Sequence, residues 1–220
     1  MKTYPPIATF LSLRRWIGYV GISLPWLVVL LAWRFQPSIS DFYYTGSRNW
    51  FVGSLFTIGA FLCSYYGYDR RDRIMSVIAG ICAFGVSLFP TDSGTTTVVG
   101  GTHYVFAASL FLILAWFSLC QFTKTSHLSL TDEKRKRNVI YQACGYAIVG
   151  ALSLILVGKV TGLSLKFANA NPVFWLEALA LEAFGFSWMV KGEFILRDGG
   201  LSSLPSRIAE PTIPSHSRSP

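Results

Sequence analysis

The sequence predicts an all-α membrane protein, a six-transmembrane-helix bundle with N and C termini cytoplasmic. Three observations carry that expectation. Only 14% of the 220 residues are charged and 52% are hydrophobic, whereas a soluble globular chain carries about 25% charged residues. Apolar runs close to the ~20 residues that cross the hydrocarbon core recur along the chain. The basic residues gather in alternate connectors, as the positive-inside rule requires. The net charge of +8 therefore reads as membrane orientation, and no nucleic-acid partner is expected.

Residues 1–15 read as a cytoplasmic segment ending in Arg14-Arg15. The apolar run from Trp16 to about Phe35 is too long for a signal-peptide core, and no small-x-small cleavage site follows it cleanly. It reads as an uncleaved first helix, which Pro37 is expected to stop because proline lacks an N–H and fixes φ. Five further runs follow, at about 50–68, 74–90, 103–122, 138–158 and 173–191. The third is the shortest and is expected to start within the interface. The transmembrane domain is thus 16–191, and 192–220, rich in Gly, Ser and Pro from Arg197 onward, is expected to be a disordered cytoplasmic tail. Of the 19 Lys and Arg residues, only Arg34, Arg48, Lys159 and Lys166 fall on the outer side of this arrangement. The localisation expected is a cell membrane, plasma or inner, crossed many times.

The connectors have distinct chemistries. Tyr65-Tyr66-Gly67-Tyr68 before Asp69-Arg70-Arg71-Asp72-Arg73 reads as an aromatic belt with a tight basic turn, anchored at the headgroups. A sharper reading is recognition of a specific anionic lipid. Thr131-Asp132-Glu133 ahead of Lys134-Arg135-Lys136-Arg137 gives a cap and an acidic first turn, so the fifth helix is expected to begin before the membrane. Within the runs, Gly53, Gly59, Gly80, Gly85, Ala107, Ala108, Gly145, Gly150, Ala178 and Ala183 read as packing positions, since close backbone approach holds helices together in lipid. Cys63, Cys82, Cys120 and Cys144 all lie in apolar runs and read as small buried hydrophobes, with no disulfide framework or zinc spacing.

The first outer connector, Pro37 to Phe51, holds far more hydrogen-bonding chemistry than a linker needs. It carries Ser40, Asp41, Tyr43, Tyr44, Thr45, Ser47, Arg48 and Asn49. The other unusual polar residues converge on the same side. Asp92 follows the third run and His103 opens the fourth. Glu177 lies about five residues into the sixth, roughly 7–8 Å below its end. Glu182 falls near the bilayer centre. Five residues apart, the two glutamates point about 140° from each other, so they form no single carboxylate pair. Glu182 reads as a protonated hydrogen-bond donor to a neighbouring helix, because burial disfavours its charge. Asp41 and Arg48 read as a loop-ordering ion pair. His103 beside Asp41 or Asp92 has the makings of a general acid or base. With a single His in the spans, neither haem nor metal is implied, and no cofactor is expected.

The motifs Ser38-Ile-Ser-Asp-Phe-Tyr-Tyr-Thr, Arg48-x-x-Phe51-Val-Gly53, Gly67-Tyr-Asp69, Ala83-x-Gly85-Val and Phe89-Pro90-Thr91 resemble a bacterial multi-pass membrane protein family of unknown function over about 16–191. More remotely, over roughly 37–122, the outer loop resembles the DRAM-type autophagy modulators. The later pattern of His103, Ala107, Phe111 and Gln121 is similar to theirs. That resemblance implies a role in membrane lipid handling and assigns no catalytic residue. The CREST membrane hydrolases use Ser, Asp and three His around a metal; this chain offers Ser40, Asp41 and His103 and lacks the remaining His.

The function expected is therefore lipid or partner binding through an outward-facing polar cluster of Ser40, Asp41, Tyr44, Arg48, Asp92, His103 and Glu177. The partners would be membrane lipids or another membrane protein. One alternative is a membrane-embedded hydrolase or transferase acting on a lipid headgroup, with Asp41, His103 and Glu177 as catalytic candidates. A second is a proton-coupled carrier using Glu177 and Glu182, which the lack of a visible inverted repeat disfavours.

Overall fold

Six long helices follow one another around a closed ring in the computed structural model, which describes residues 6–67, 69–91, 98–124, 132–163 and 167–195. They are α1 (Pro6–Ala32), α2 (Arg48–Cys63), α3 (Arg70–Leu88), α4 (Val98–Trp116), α5 (Asp132–Val160) and α6 (Pro172–Lys191). Each packs on its successor, and α6 returns to pack on α1. No strand occurs among the described residues. Among the described residues, four helical segments are long and apolar enough to cross a membrane: Phe10–Ala32, Val98–Gln121, Asp132–Val160 and Pro172–Lys191. The other two are limited by composition and length. Helix α2 has 16 residues, about 24 Å at 1.5 Å per residue, and α3 opens on Arg70, Arg71, Asp72 and Arg73.

Several boundaries differ from the sequence expectation, each for a local reason. Helix α1 starts at Pro6, inside the segment read as polar, because proline suits a first helical turn, where its missing N–H costs nothing. It ends at Ala32, well before Pro37, where Trp33 turns left-handed with φ 54°. His103 does not open α4 but lies in its second turn, since the helix begins at Val98. Helix α5 begins at Asp132, ahead of its apolar run as expected; the Thr131 cap lies outside the described residues, as do Tyr68, Asp92, Lys166 and the 196–220 tail.

Helix α4 runs on into a π-helical turn, Phe117–Gln121, where Phe122 N–H bonds to Phe117 O at 2.8 Å across five residues. The wider turn brings Phe117, Ser118 and Gln121 inward together. It also leaves Cys120 exposed, against the expectation that all four cysteines are buried. The basic end of the ring is cored by aromatic rings: Tyr65 and Trp188 (5.0 Å between centroids), Phe122 and Trp188 (5.3 Å), and Phe122 and Tyr141 (5.4 Å). Tyr65 is 1% exposed, so of the two tyrosines described there Tyr66 is the one that behaves as the expected belt residue, carrying the Arg73 guanidinium 4.0 Å over its ring.

Close backbone approach holds the ring where the small residues face a neighbour. A Cβ on Gly185 would lie 2.7 Å from Gly18 O, and one on Gly80 would lie 2.7 Å from Gly59 O. Gly85 receives the Phe106 ring and Gly145 the Leu119 side chain. Gly53 and Gly150 meet nothing within 4 Å, and Ala108 is exposed, so these three are not packing positions. They lie on faces turned away from the ring.

Candidate functional site

The polar connector does not hang off the bundle but is clamped onto it. Residues Ser40–Tyr44 form a 3-10 helix. Two bonds of opposite sense tie the chain before it to the first turns of α6. Phe174 N–H donates to Pro37 O at 3.0 Å, and Ile39 N–H donates to Glu177 Oε2 at 2.6 Å. The Ser40 N–H bonds to the same carboxylate. A carboxylate placed at the start of a short helix satisfies N–H groups that have no partner within it. The apolar face beside this clamp is aromatic: Phe42 and Phe174 are fully buried, 6.2 Å apart between centroids.

His103 ties the same turn to two other helices. Its Nδ1 lies 2.7 Å from Phe89 O, at the end of α3. A carbonyl oxygen only accepts, so Nδ1 carries a proton. In the neutral ring Nε2 is then an acceptor, and Ser40 Oγ lies 3.0 Å from it, positioned to donate. The pair is enclosed, with His103 2% and Ser40 9% exposed. A serine hydroxyl on a histidine whose other nitrogen is fixed has the geometry of an activated nucleophile and its base. Here the fixing group is a backbone carbonyl, not a carboxylate.

Around this centre, Thr91 Oγ1 donates to Asp41 Oδ1 at 3.2 Å, and Tyr44 donates its phenol O–H to Thr91 O at 2.5 Å. The connector thus gathers the end of α3, the second turn of α4 and the first turns of α6. Ser40, Asp41, Tyr44, His103 and Glu177 are brought together. Asp92 lies outside the described residues. Arg48 is not part of the buried cluster, and the expected ion pair with Asp41 does not form. Arg48 instead hydrogen-bonds the Tyr43 hydroxyl and lies with its guanidinium 4.1 Å over that ring, at the exposed rim. The Thr91 hydroxyl already occupies Asp41, and Arg48 keeps solvent on its other face. A second rim cation, Lys159, sits 3.3 Å over the Tyr104 ring.

The two glutamates go to different partners, as their spacing demands. Glu177 faces the clamp. Glu182 accepts the indole N–H of Trp26 on α1 at 2.5 Å, so it is an acceptor in the contact expected of it as a donor. Sequence reasoning did not reach Thr91, Phe89 or Trp26 as partners. For Trp26 a signal existed: an indole N–H inside a span needs an acceptor, and few are available there.

The fold and the site define a ring of helices, four of them long and apolar enough to cross a membrane, closed at one end by a polar turn that its third, fourth and sixth helices hold in place. No family model, curated protein or solved structure matches the chain.

Proposed function

We propose that the protein crosses a cell membrane six times, with both termini in the cytoplasm, and binds lipid headgroups at the outer rim of its clamped turn. Helices α2 and α3 belong to the same ring as the four helices long and apolar enough to span, which supports their crossing with them. Charge supports the orientation. Arg14, Arg15, Arg70, Arg71, Lys124 and the run Lys134–Arg137 gather at one end, as the positive-inside rule expects of a cytoplasmic face.

The observation carrying the binding reading is the division of labour in the cluster. Ser40, Asp41, Tyr44, Thr91, His103 and Glu177 are bonded within the clamp, while the two cations at its rim are laid on aromatic rings: Arg48 on Tyr43 and Lys159 on Tyr104. Held on a ring, a cation keeps donors free toward the phosphate layer and is oriented before any lipid arrives. A bound-lipid inventory by native mass spectrometry tests it. Arg48→Gln and Lys159→Gln are expected to lose anionic lipid that the wild type retains. An unchanged inventory in the double variant sinks the reading.

The Ser40–His103 pair favours a second reading, an acyl hydrolase or transferase. Ser40 Oγ would attack a lipid ester carbonyl while His103 Nε2 takes its proton and returns it to the departing alcohol, leaving an acyl-serine. A fluorophosphonate probe that labels wild type but neither Ser40→Ala nor His103→Gln supports this reading. Absence of wild-type labelling in native membranes rejects it.

A further inference from the structure

The outward face of the α1–α6 seam carries an acidic group that the proposed function does not use. On α6, Trp175, Leu179, Glu182 and Phe186 recur at helical spacing and form one stripe. Its members are exposed, apart from half-buried Glu182. Glu182 lies ten residues from the start of the helix at Pro172, about 15 Å along its axis and so near its middle. Both α1 and α6 are long and apolar enough to cross a membrane, and in a bilayer this stripe meets lipid at mid-depth. An ionised carboxylate is costly there without a compensating charge. No ion pair among the described residues includes Glu182, and its hydrogen bond goes to a neutral group, the Trp26 indole.

Two indoles stand beside this carboxyl. Trp26 donates to it from α1 and packs on Trp175, with centroids 6.4 Å apart and planes tilted by 57°. The two rings remain about half exposed, at 48% and 47%. The carboxyl meets Trp26 at its N–H edge, which leaves the electron-rich faces of the ring free of that contact. Phe35 extends the aromatic surface, 5.6 Å from Trp175. Along α1, a cavity of about 510 Å³ opens beside Trp26, lined also by Ser23, Leu27, Val29 and Leu30. A glutamine at position 182 would accept the indole N–H as well. What the carboxyl adds is the capacity for negative charge.

We propose that this face binds a lipophilic organic cation from within the membrane, with Glu182 as its counter-ion and the Trp26 and Trp175 rings as its cation–π surface. Indole is the strongest cation–π partner among the side chains. Depth selects the ligand. The ammonium of a lipid headgroup stays at the interface, and an inorganic cation would have to shed its water in apolar surroundings. A cation wrapped in apolar or aromatic groups has little hydration to lose, and the cavity beside Trp26 has room for such groups. The proposal rests on the membrane reading above and is independent of lipid binding at the rim.

The test is equilibrium dialysis of tetraphenylphosphonium with the purified full chain in neutral detergent, beside tetraphenylborate, an anion of the same shape. Saturable binding of the phosphonium is expected, and none of the borate. Glu182→Gln, which keeps the indole bond, should weaken binding about ten-fold or more. Trp175→Leu leaves the Glu182–Trp26 contact in place and should weaken binding several-fold; it carries the test if the glutamine variant fails to fold. No saturable phosphonium binding overturns the site. So does equal binding of the borate, or binding that Glu182→Gln leaves undiminished. Retention of the chain in membranes through an alkaline carbonate wash tests the bilayer placement separately, so absent binding by a retained chain counts against the site alone.

Discussion

Glu182 and Trp26 show how a costly residue is accommodated between two helices long and apolar enough to cross a membrane. The carboxyl accepts an indole N–H at 2.5 Å, so what the contact requires of position 182 is an acceptor oxygen. Glu182→Gln keeps one and is expected to unfold like wild type. Glu182→Leu and Trp26→Phe should each cost about 1 kcal/mol, with the double variant costing little more than either. Thermal unfolding of the four proteins checks this, and additive losses would mean the two side chains act separately. A second residue-scale expectation concerns Asp69, which caps α3. The Asp72 N–H, 2.9 Å from Asp69 Oδ1, and then Lys124 hold its carboxyl below its ordinary value. A depressed folded value means the contribution is present above the unfolded pKa and is lost as pH falls through the folded one. Amide exchange in the first turn of α3 should therefore quicken only below the usual carboxylate range, and Asp69→Asn should flatten that response.

Among the helices, the α1–α6 contact is the tightest seam and the most sensitive to one methyl group. Gly185→Ala would push a Cβ to 2.7 Å from Gly18 O, a backbone atom that cannot swing aside. A loss of about 1–3 kcal/mol is expected. Gly150→Ala meets nothing within 4 Å and should be neutral or stabilising by up to about 1 kcal/mol. Equal effects in an unfolding assay would mean the seam is not where stability resides. Such distinctions were beyond sequence reading. Glycine at 53, 59, 80 and 150 looks alike along the chain, and only the azimuth of each helix in the ring separates Gly59 and Gly80, which meet, from Gly53 and Gly150, which face outward. Rarity was the better guide. Ser40 stood out because its connector is more polar than a linker needs, His103 and Glu177 because polar groups are scarce in apolar runs, and the three converge. Tyr65 was hidden for the opposite reason. It sits in a run of tyrosines suited to an interface, and only the packing of α1 and α6 draws it inward.

At the scale of the molecule, the proposed six-crossing orientation has a sidedness that single cysteines can report. Introduced between α3 and α4 at 91–97 and between α5 and α6 at 161–171, they should react with impermeant thiol reagents from outside. Placed at Arg71 or Lys134, they should stay silent until the membrane is opened. Labelling of intact cells at Arg71 would overturn the six-crossing arrangement with both ends inside.

The clamp on the polar turn has an implication for synthesis. The turn is made early, but the groups that bond it arrive late: Phe89 and Thr91, then His103, and last Phe174 and Glu177. Until the final helix leaves the ribosome, the Ile39 amide lacks its acceptor, and Gly18 has no Gly185 to lie against. A chain interrupted before residue 172 would therefore be an open arc with a loose polar loop at the surface. Quality-control proteases should remove such chains, while a chain extended through Lys191 should persist.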